Sequence, residues 1–191
     1  MTYLSQRELE EVGFKHLGIN VKLSNKASIY NPENISFDDN CRVDDFCILS
    51  AGSGGVHIGK YVHIAAYSSL IGNEEIFLDD FSGLSSRVSV YSSNDDYSGD
   101  YMAHPTIPSE FRNVDSKPVF IGRHVIVGSG SIILPGANLK DGVSIGALSL
   151  VNGRYEYKEF TIYAGVPAKY IKKRSTKLLE LERQFLFLKD Y

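Results

Sequence analysis

An aliphatic residue returns at every sixth position through IGRHVIVGSGSIILPGANLKDGVSIGALSLV, the segment from Ile121 to Val151: Ile121, Val127, Ile133, Leu139, Ile145 and Val151. Six is neither the 3.6 of an α-helix nor the alternation of a flat strand, so the chain must turn in a way that neither element does. Each unit carries its aliphatic residue at the first place, often Gly, Asp or Ala at the second, and usually a small residue at the fifth. That is a short strand followed by a tight corner, with the first and fifth places pointing inward on either side of the bend. Gly122, Gly128, Gly136, Gly142 and Gly146 are expected to supply backbone freedom near these bends. Three units make a triangular coil, and coils stack at strand spacing, about 4.8 Å each. The pattern predicts an all-β solenoid, a parallel β-helix.

The same beat runs earlier through Phe37, Val43 and Leu49, through Ile58, Ile64 and Leu70, and through Leu78, Leu84 and Val90, with short slips at SAGSGGVH and IGNEEIF. One long interruption, 91–118, is polar, proline-containing and rich in turn residues. A solenoid does not need such an excursion to stand, and its aromatic residues argue for function over disorder. Ser5 and Glu8 form a capping box opening a short helix over Gln6 to Phe14. Ser175 is expected to open a second helix through STKLLELERQFLFLKD, apolar enough to require a surface, either the end of the solenoid or a neighbouring copy. The chain thus divides into an N-terminal helical segment (1–20), a solenoid (21–174) and a C-terminal helix (175–191).

Composition narrows the class. With 191 residues, 43% of them hydrophobic, the chain can bury a core as one domain, and its net charge of −3 lacks the basic balance of a non-specific nucleic-acid binder. The N-terminus is too polar for a signal peptide and no apolar run approaches the roughly 20 residues that cross a bilayer, so a cytoplasmic protein without membrane insertion is expected. Cys41 and Cys47 are the only cysteines. Both fall on the fifth place of their units and read as small buried residues stacked on successive turns, not as a redox pair.

The hexad pattern, the excursion and the closing YAGVPAKYIKKR together resemble the hexapeptide-repeat acyltransferases over roughly residues 21–174. The resemblance implies a left-handed parallel β-helix, although right-handed crossovers are the general rule. It also implies acyl-CoA, acetyl-CoA first among donors, as co-substrate and no metal. SNKASIYNP, RVDDFCILS, HIAAYSSLIG, the SSR of GLSSRV and the NDDYSG run are similar to the nucleotide-sugar N-acyltransferases that acylate 4-amino-4,6-dideoxyhexoses for surface polysaccharides. That likeness implies a homotrimer with three sites in the clefts between solenoids.

Acyl transfer needs a nucleophile held against the thioester carbon, an acceptor for its proton, and donors for the oxyanion. Asp95 and Asp96 can orient an amine and stabilise its transient cation, or simply form a turn; Tyr97, beside them in the matched run, is a substrate contact. Ser86 is placed with the reacting groups and Ser85 with the substrate, both outward after Leu84. Arg87 suits a phosphate of the nucleotide. His63, outward at the sixth place of its unit, reads as a substrate contact or an interface residue. His104 precedes proline in the excursion, as a catalytic histidine does in the sugar O-acetyltransferases of this family; the anthrose-type N-acyltransferases look different there. His124 is expected to face out, at the surface or in the coenzyme cleft. The resemblance threads the coenzyme past Gly128, Ser129, Gly146 and Ala147, and Lys169, Lys172, Lys173 and Arg174 form the densest basic cluster for its phosphates.

Two alternatives stay open: a sugar O-acetyltransferase using His104 as general base, and a non-catalytic solenoid that binds or assembles. Ala65, Ala66, Tyr67 and Ile126 stand on outward faces where a lone solenoid would carry charge. A trimer is the expected state in solution, and light scattering that returned a stable 21.2 kDa monomer at working concentration would refute it.

Overall fold

The six-residue beat closes into three parallel faces. In the computed structural model, which describes residues 2–188, the inward apolar residues stack into three columns. Leu17, Phe37, Ile58, Leu78, Ile121 and Leu139 line the first face. Leu23, Val43, Ile64, Leu84, Val127 and Ile145 line the second. Ile29, Leu49, Leu70, Val90, Ile133 and Val151 line the third. Nearly all are fully buried, and with the fifth-place residues Cys41, Cys47, Val125, Ala137 and Val143 they form one continuous core. The result is a left-handed parallel β-helix of about seven turns. Its first rung is already present at His16–Leu17, paired with Ser36 and Phe37, and the second face is closed by the antiparallel strand Lys169–Lys173.

The corners are tighter than the glycine pattern suggests. The fourth place of most units is left-handed, and non-glycine residues occupy most of these positions: Asn20, Asn40, Phe46, Tyr61, Tyr67, Phe81, Arg87, His124, Leu148 and Phe160 all have positive φ. Each such residue costs about 1–2 kcal/mol against its own β-carbon. Stacking offsets part of that cost, because coils in register place one ring over the next: Tyr61 on Phe81 at 4.9 Å, Phe81 on His124 at 5.1 Å, and Phe46 on Tyr67 at 5.0 Å. The glycines therefore serve two purposes. Gly136 and Gly142 are left-handed corners as expected, whereas Gly122 and Gly146 are not. A β-carbon on Gly122 would sit 2.6 Å from Asp141 Oδ1, and one on Gly146 would sit 2.8 Å from the Ala164 β-carbon. These positions need closeness to the next coil, not freedom.

The buried thiols occupy successive corners of one coil rather than standing one above the other. Cys41 donates to Gly59 O at 2.9 Å and Cys47 to Ala65 O at 3.2 Å. Burial pushes the Cys41 thiol up to about 12 and the Cys47 thiol up to about 11, so neither forms a reactive thiolate near neutral pH.

The first helix, α1 (Gln6–Val12), is opened by the Ser5–Glu8 capping box and ends at left-handed Gly13. The second, α2 (Leu178–Phe187), departs from expectation twice. It starts at Leu178, with Ser175 accepting from the Lys177 amide in a turn ahead of it. The expected extension over Lys189 and Asp190 lies outside the described residues. It packs neither on the end of the solenoid nor solely outward: it lies along the corner between the first and second faces, with Phe185 edge-on to Tyr61 at 5.3 Å. Glu182 accepts from Arg123, which also pairs with Asp80 at 2.8 Å, and lies 2.7 Å from His124 Nε2. His124, expected to face solvent, is thereby covered by α2.

The excursion leaves the third face after Ser89–Tyr91 and re-enters the first at Val119–Ile121. Its base is a short antiparallel ladder, Ser93–Asn94 with Asp115–Ser116, so the loop is tied to the barrel rather than merely tethered to it.

Candidate active site

The second face carries an outward column in strict register: Lys22, Arg42, His63, Gly83, Ile126, Ser144 and Ile162. At its middle lies a groove of about 270 Å³ lined by His63, Ala65, Gly83, Leu84, Ser85, Ser86, Ile126 and Ser129. Four residues singled out in the sequence, His63, Ser85, Ser86 and Ser129, thus come together from three successive coils. The wall is rigid at backbone level. The Ser85 amide donates to Val127 O at 2.9 Å and its carbonyl accepts from Ser68 Oγ at 3.1 Å, while the Ser86 carbonyl accepts from the Gly130 amide at 3.1 Å.

His63 is held from beneath by a residue the sequence reading passed over. Its Nε2 lies 2.9 Å from Asp44 Oδ2, and Arg42 Nε donates to Asp44 Oδ1 at 2.7 Å. Burial pushes the Asp44 carboxyl up, but hydrogen bonds from Arg42 and His63 outweigh it and hold Asp44 below the ordinary carboxylate range. The signal was in RVDDFCILS: Asp44 follows anchor Val43 one coil before His63, so register alone brings the two together.

A second groove, of about 410 Å³, opens on the third face beneath the excursion; Asn73, Asn94, Asp95, Pro105 and Arg112 are among its walls. Asp95 Oδ2 stands 3.9 Å from His104 Nδ1, and the His104 side chain is 80% exposed. Arg112 Nε is buried and finds no hydrogen-bond partner among the described residues. Arg112 was not anticipated, because an arginine in a turn-rich loop carries no mark of its burial. The adjacent aspartates divide their tasks. Asp96 accepts from the Ser98 amide at 2.7 Å and from Ser98 Oγ at 2.5 Å, bonds that hold its carboxyl below the usual range, so it closes a turn while Asp95 faces the groove. Tyr97 is 86% exposed.

Around the first groove, Gly128 abuts the Ala147 backbone and Gly146 abuts Ala164, so the coils approach closely there. Arg87 occupies a left-handed corner with its guanidinium 5.3 Å above the Tyr67 ring. The basic cluster is exposed along its whole strand and divides between the strand's two sides. Lys172 pairs with Ile162 and Lys169 with Ala164, on the outward side, whereas Lys173 pairs with Thr161, whose side chain is buried. Arg174 clasps the corner, donating to His124 O at 2.7 Å and Gly142 O at 3.0 Å. The expected patch is exposed at Tyr67 and Ile126, while Ala65 and Ala66 are half-buried.

A dTDP-4-amino-4,6-dideoxy-D-glucose acyltransferase of Escherichia coli is 54% identical over 185 residues, 97% of this chain and 95% of its own. The chain belongs to this family of hexapeptide-type sugar acyltransferases. The N-acyltransferase AntD from Bacillus cereus, solved with dTDP and 3-hydroxybutyryl-CoA, superposes with a TM-score of 0.91 at 44% identity, covering 99% of this chain and 98% of that one. A WbbJ protein of Escherichia coli K12, named as a candidate O-acetyl transferase of lipopolysaccharide biosynthesis, is 35% identical over 83% of this chain and 79% of its own. No protein-family model matches the chain.

The Asp44 cluster carries a pH dependence. Its carboxyl titrates lower folded than unfolded, so its stabilisation is present above the unfolded value of about 3.9 and is lost as pH falls through the folded one. Asp44→Asn should lower stability by about 1–3 kcal/mol at pH 7, the cost of disappointing a buried charged acceptor. The gap should narrow in strong acid, where the parent carboxyl is neutral as well. Thermal melts of both proteins at pH 7 and pH 3 check this, and an equal gap at both values would remove the carboxylate from the account.

Proposed function

We propose that the protein transfers an acyl group from acyl-CoA to the 4-amino group of a dTDP-linked 4-amino-4,6-dideoxyhexose, a step in building a surface polysaccharide. The relatives bind or act on just these molecules by name. The observation that carries the reading in this chain is the outward column of the second face, which runs from Lys172 through Ile162, Ser144 and Ile126 to the groove at Gly83. Four rungs at about 4.8 Å give roughly 19 Å, the order of an extended pantetheine arm. Lys172 and Lys169 then meet the coenzyme phosphates, the backbone near Gly128, Gly146 and Ala147 meets the amides of the arm, and the thioester arrives among Ser85, Ser86, Ser129 and His63.

The reaction is short. The neutral amine attacks the thioester carbon, the new C–N bond forms, the tetrahedral oxyanion is held by hydroxyl or amide donors of the groove, and its collapse breaks the C–S bond. The proton lost by nitrogen ends on the departing thiolate, and free coenzyme A leaves with the amide. Asp95 orients the amine and steadies its positive charge after attack. AntD has been solved as variants of one serine and one aspartate that stand ten residues apart. Ser85 and Asp95 have that separation, as do Ser86 and Asp96; the turn bonds of Asp96 favour the first pair.

Ser85 and Asp95 line different grooves of a single chain, so the reading includes a homotrimer in which the excursion of one copy closes the groove of the next. Arg87 and Arg112 are then available to the diphosphate, and Tyr97 to the sugar or base. The reading includes a cytoplasmic location, alongside acyl-CoA and the nucleotide sugar. Acetyl remains the first donor to test. O-acetylation is the second reading, favoured by the approach of His104 to Asp95 and by the likeness to WbbJ.

Purified protein, dTDP-4-amino-4,6-dideoxyglucose and acyl-CoA, read by mass spectrometry, test the proposal directly; failure to form the amide with any donor rejects it. Two variant comparisons follow. Lys172→Ala should raise the KM for acyl-CoA about fivefold, about 1 kcal/mol for one exposed phosphate contact, while Lys173→Ala changes it less than twofold. Equal effects would break the register argument. Asp95→Ala should cut kcat/KM for the amino sugar more than tenfold and more than His104→Ala does, because an amine needs orientation more than it needs a base. A loss near a thousandfold confined to His104→Ala would instead establish the hydroxyl acceptor.

A further inference from the structure

Seventeen glycines occur in the chain, and sixteen have a reason in the fold. Each of those sixteen either adopts a positive φ or would drive a β-carbon to within 3.0 Å of a neighbour. Gly83 does neither. It sits in the strand Gly83–Leu84, paired on both sides, and the nearest atom to a β-carbon built on it is His63 O at 3.7 Å, an ordinary contact. Glycine in a strand interior is unfavourable by roughly 0.5–1 kcal/mol relative to alanine. The fold therefore gains nothing from glycine at this place, and every other rung of its outward column, Lys22, Arg42, His63, Ile126, Ser144 and Ile162, carries a side chain.

What the missing side chain leaves is space. Gly83 lies in the wall of the first groove between His63 below and Ile126 above, with Ala65 and Leu84 beside it. The apolar part of that wall suits methylenes, and Ser85, Ser86 and Ser129 supply hydroxyls for one carbonyl or one chain hydroxyl. The proposed acceptor, polar around its ring except for the single methyl of its 6-deoxy carbon, is a poorer match for the Ala65–Gly83–Ile126 strip than a chain of methylenes is. The strip also continues the column that descends from Lys172: the arm comes in over Ile126, and Gly83 and Ala65 lie at and beyond the point where the thioester arrives.

We propose that Gly83 sets acyl-chain length: its bare backbone admits an acyl group longer than acetyl, whose carbons beyond the carbonyl lie over Gly83 against Ile126 and Ala65. This rests on the acyltransferase reading and extends it to the donor. A side chain at residue 83 fills the same volume the acyl tail needs, so discrimination follows size.

The test compares acetyl-CoA with 3-hydroxybutyryl-CoA, using dTDP-4-amino-4,6-dideoxyglucose as acceptor, for the parent, Gly83→Ala and Gly83→Val. The measured quantity is the ratio of kcat/KM for the four-carbon donor to that for acetyl-CoA. It should fall about fivefold in Gly83→Ala and at least twentyfold in Gly83→Val. A ratio that stays within twofold of the parent in both variants, or that rises, overturns the proposal. If Gly83→Val does not fold, Gly83→Ala decides alone, since its methyl group meets nothing closer than 3.7 Å. If the parent transfers neither group, the acyltransferase reading falls, and calorimetry still decides Gly83. The affinity that the parent gains for 3-hydroxybutyryl-CoA over free coenzyme A should then vanish in Gly83→Val, and a gain equal in both proteins overturns the assignment.

Discussion

In-register stacking of identical coil places is the interaction on which everything else in this molecule depends. Each inward column is apolar over apolar, so a slip of one residue in any coil would turn its core residues out to solvent. The same register makes the corners tolerable. Phe81 in a left-handed conformation is a strained residue by itself, but between Tyr61 and His124 it is one ring in a stack, and the stack becomes the surface on which Phe185 of α2 rests. Register also builds the site. His63 lies over Arg42 and beside Asp44, and Ser85, Ser86 and Ser129 share a wall, because coils about 4.8 Å apart bring together residues some twenty to forty positions apart in sequence.

The core was legible because its signal is the most redundant in the chain. The beat that runs from Ile121 to Val151 names the inward residues one by one, and the structure buries each of them. The corners were legible only in part. Glycine announces conformational freedom, but His124 and Phe160 give no sign of adopting positive φ, since what stabilises them is the residue one coil away. Gly122 and Gly146 were assigned the wrong reason for the same cause: their constraint lies in Asp141 and Ala164, outside the local sequence. The second helix was misjudged at its start because Ser175 looks like a cap. The chain instead spends 174–177 crossing to the corner, where Arg174 binds two carbonyls.

For the candidate site, the sequence named outward residues that the structure gathers in one groove, and missed their partners. Ser85, Ser86, His63 and Ser129 fell on outward places of consecutive coils, which is a statement about period. Asp44 needed a second step, from period to three-dimensional neighbour. The lysines needed a third, because Lys172 and Lys173 differ only in the antiparallel pairing and bulge that set which side of the strand each faces. The excursion resisted reading altogether. Its turn chemistry places Asp96 against Ser98 and frees Asp95 for the groove, yet Asn-Asp-Asp as a string treats the two carboxylates alike.

The contrast between the two histidine–aspartate pairs bears on the chemistry. His63 and Asp44 are close, 2.9 Å, and Asp44 is also bound by Arg42, an arrangement that fixes a ring and stabilises a buried carboxylate. His104 and Asp95 are loose, 3.9 Å, with the histidine largely in solvent. A hydroxyl acceptor would require a positioned base as it attacks, and this excursion presents no such base in the single chain. An amine acceptor asks less. Its lone pair attacks without prior deprotonation, its proton has a destination in the departing thiolate, and the remaining demands are a carboxylate for orientation and donors for an oxyanion. Asp95 in one groove and the serines in the other would meet those demands in the proposed homotrimer, where neighbouring copies bring the grooves together. The looseness of His104 therefore fits an amine acceptor better than a hydroxyl one, for which substrate binding would have to fix the ring against Asp95.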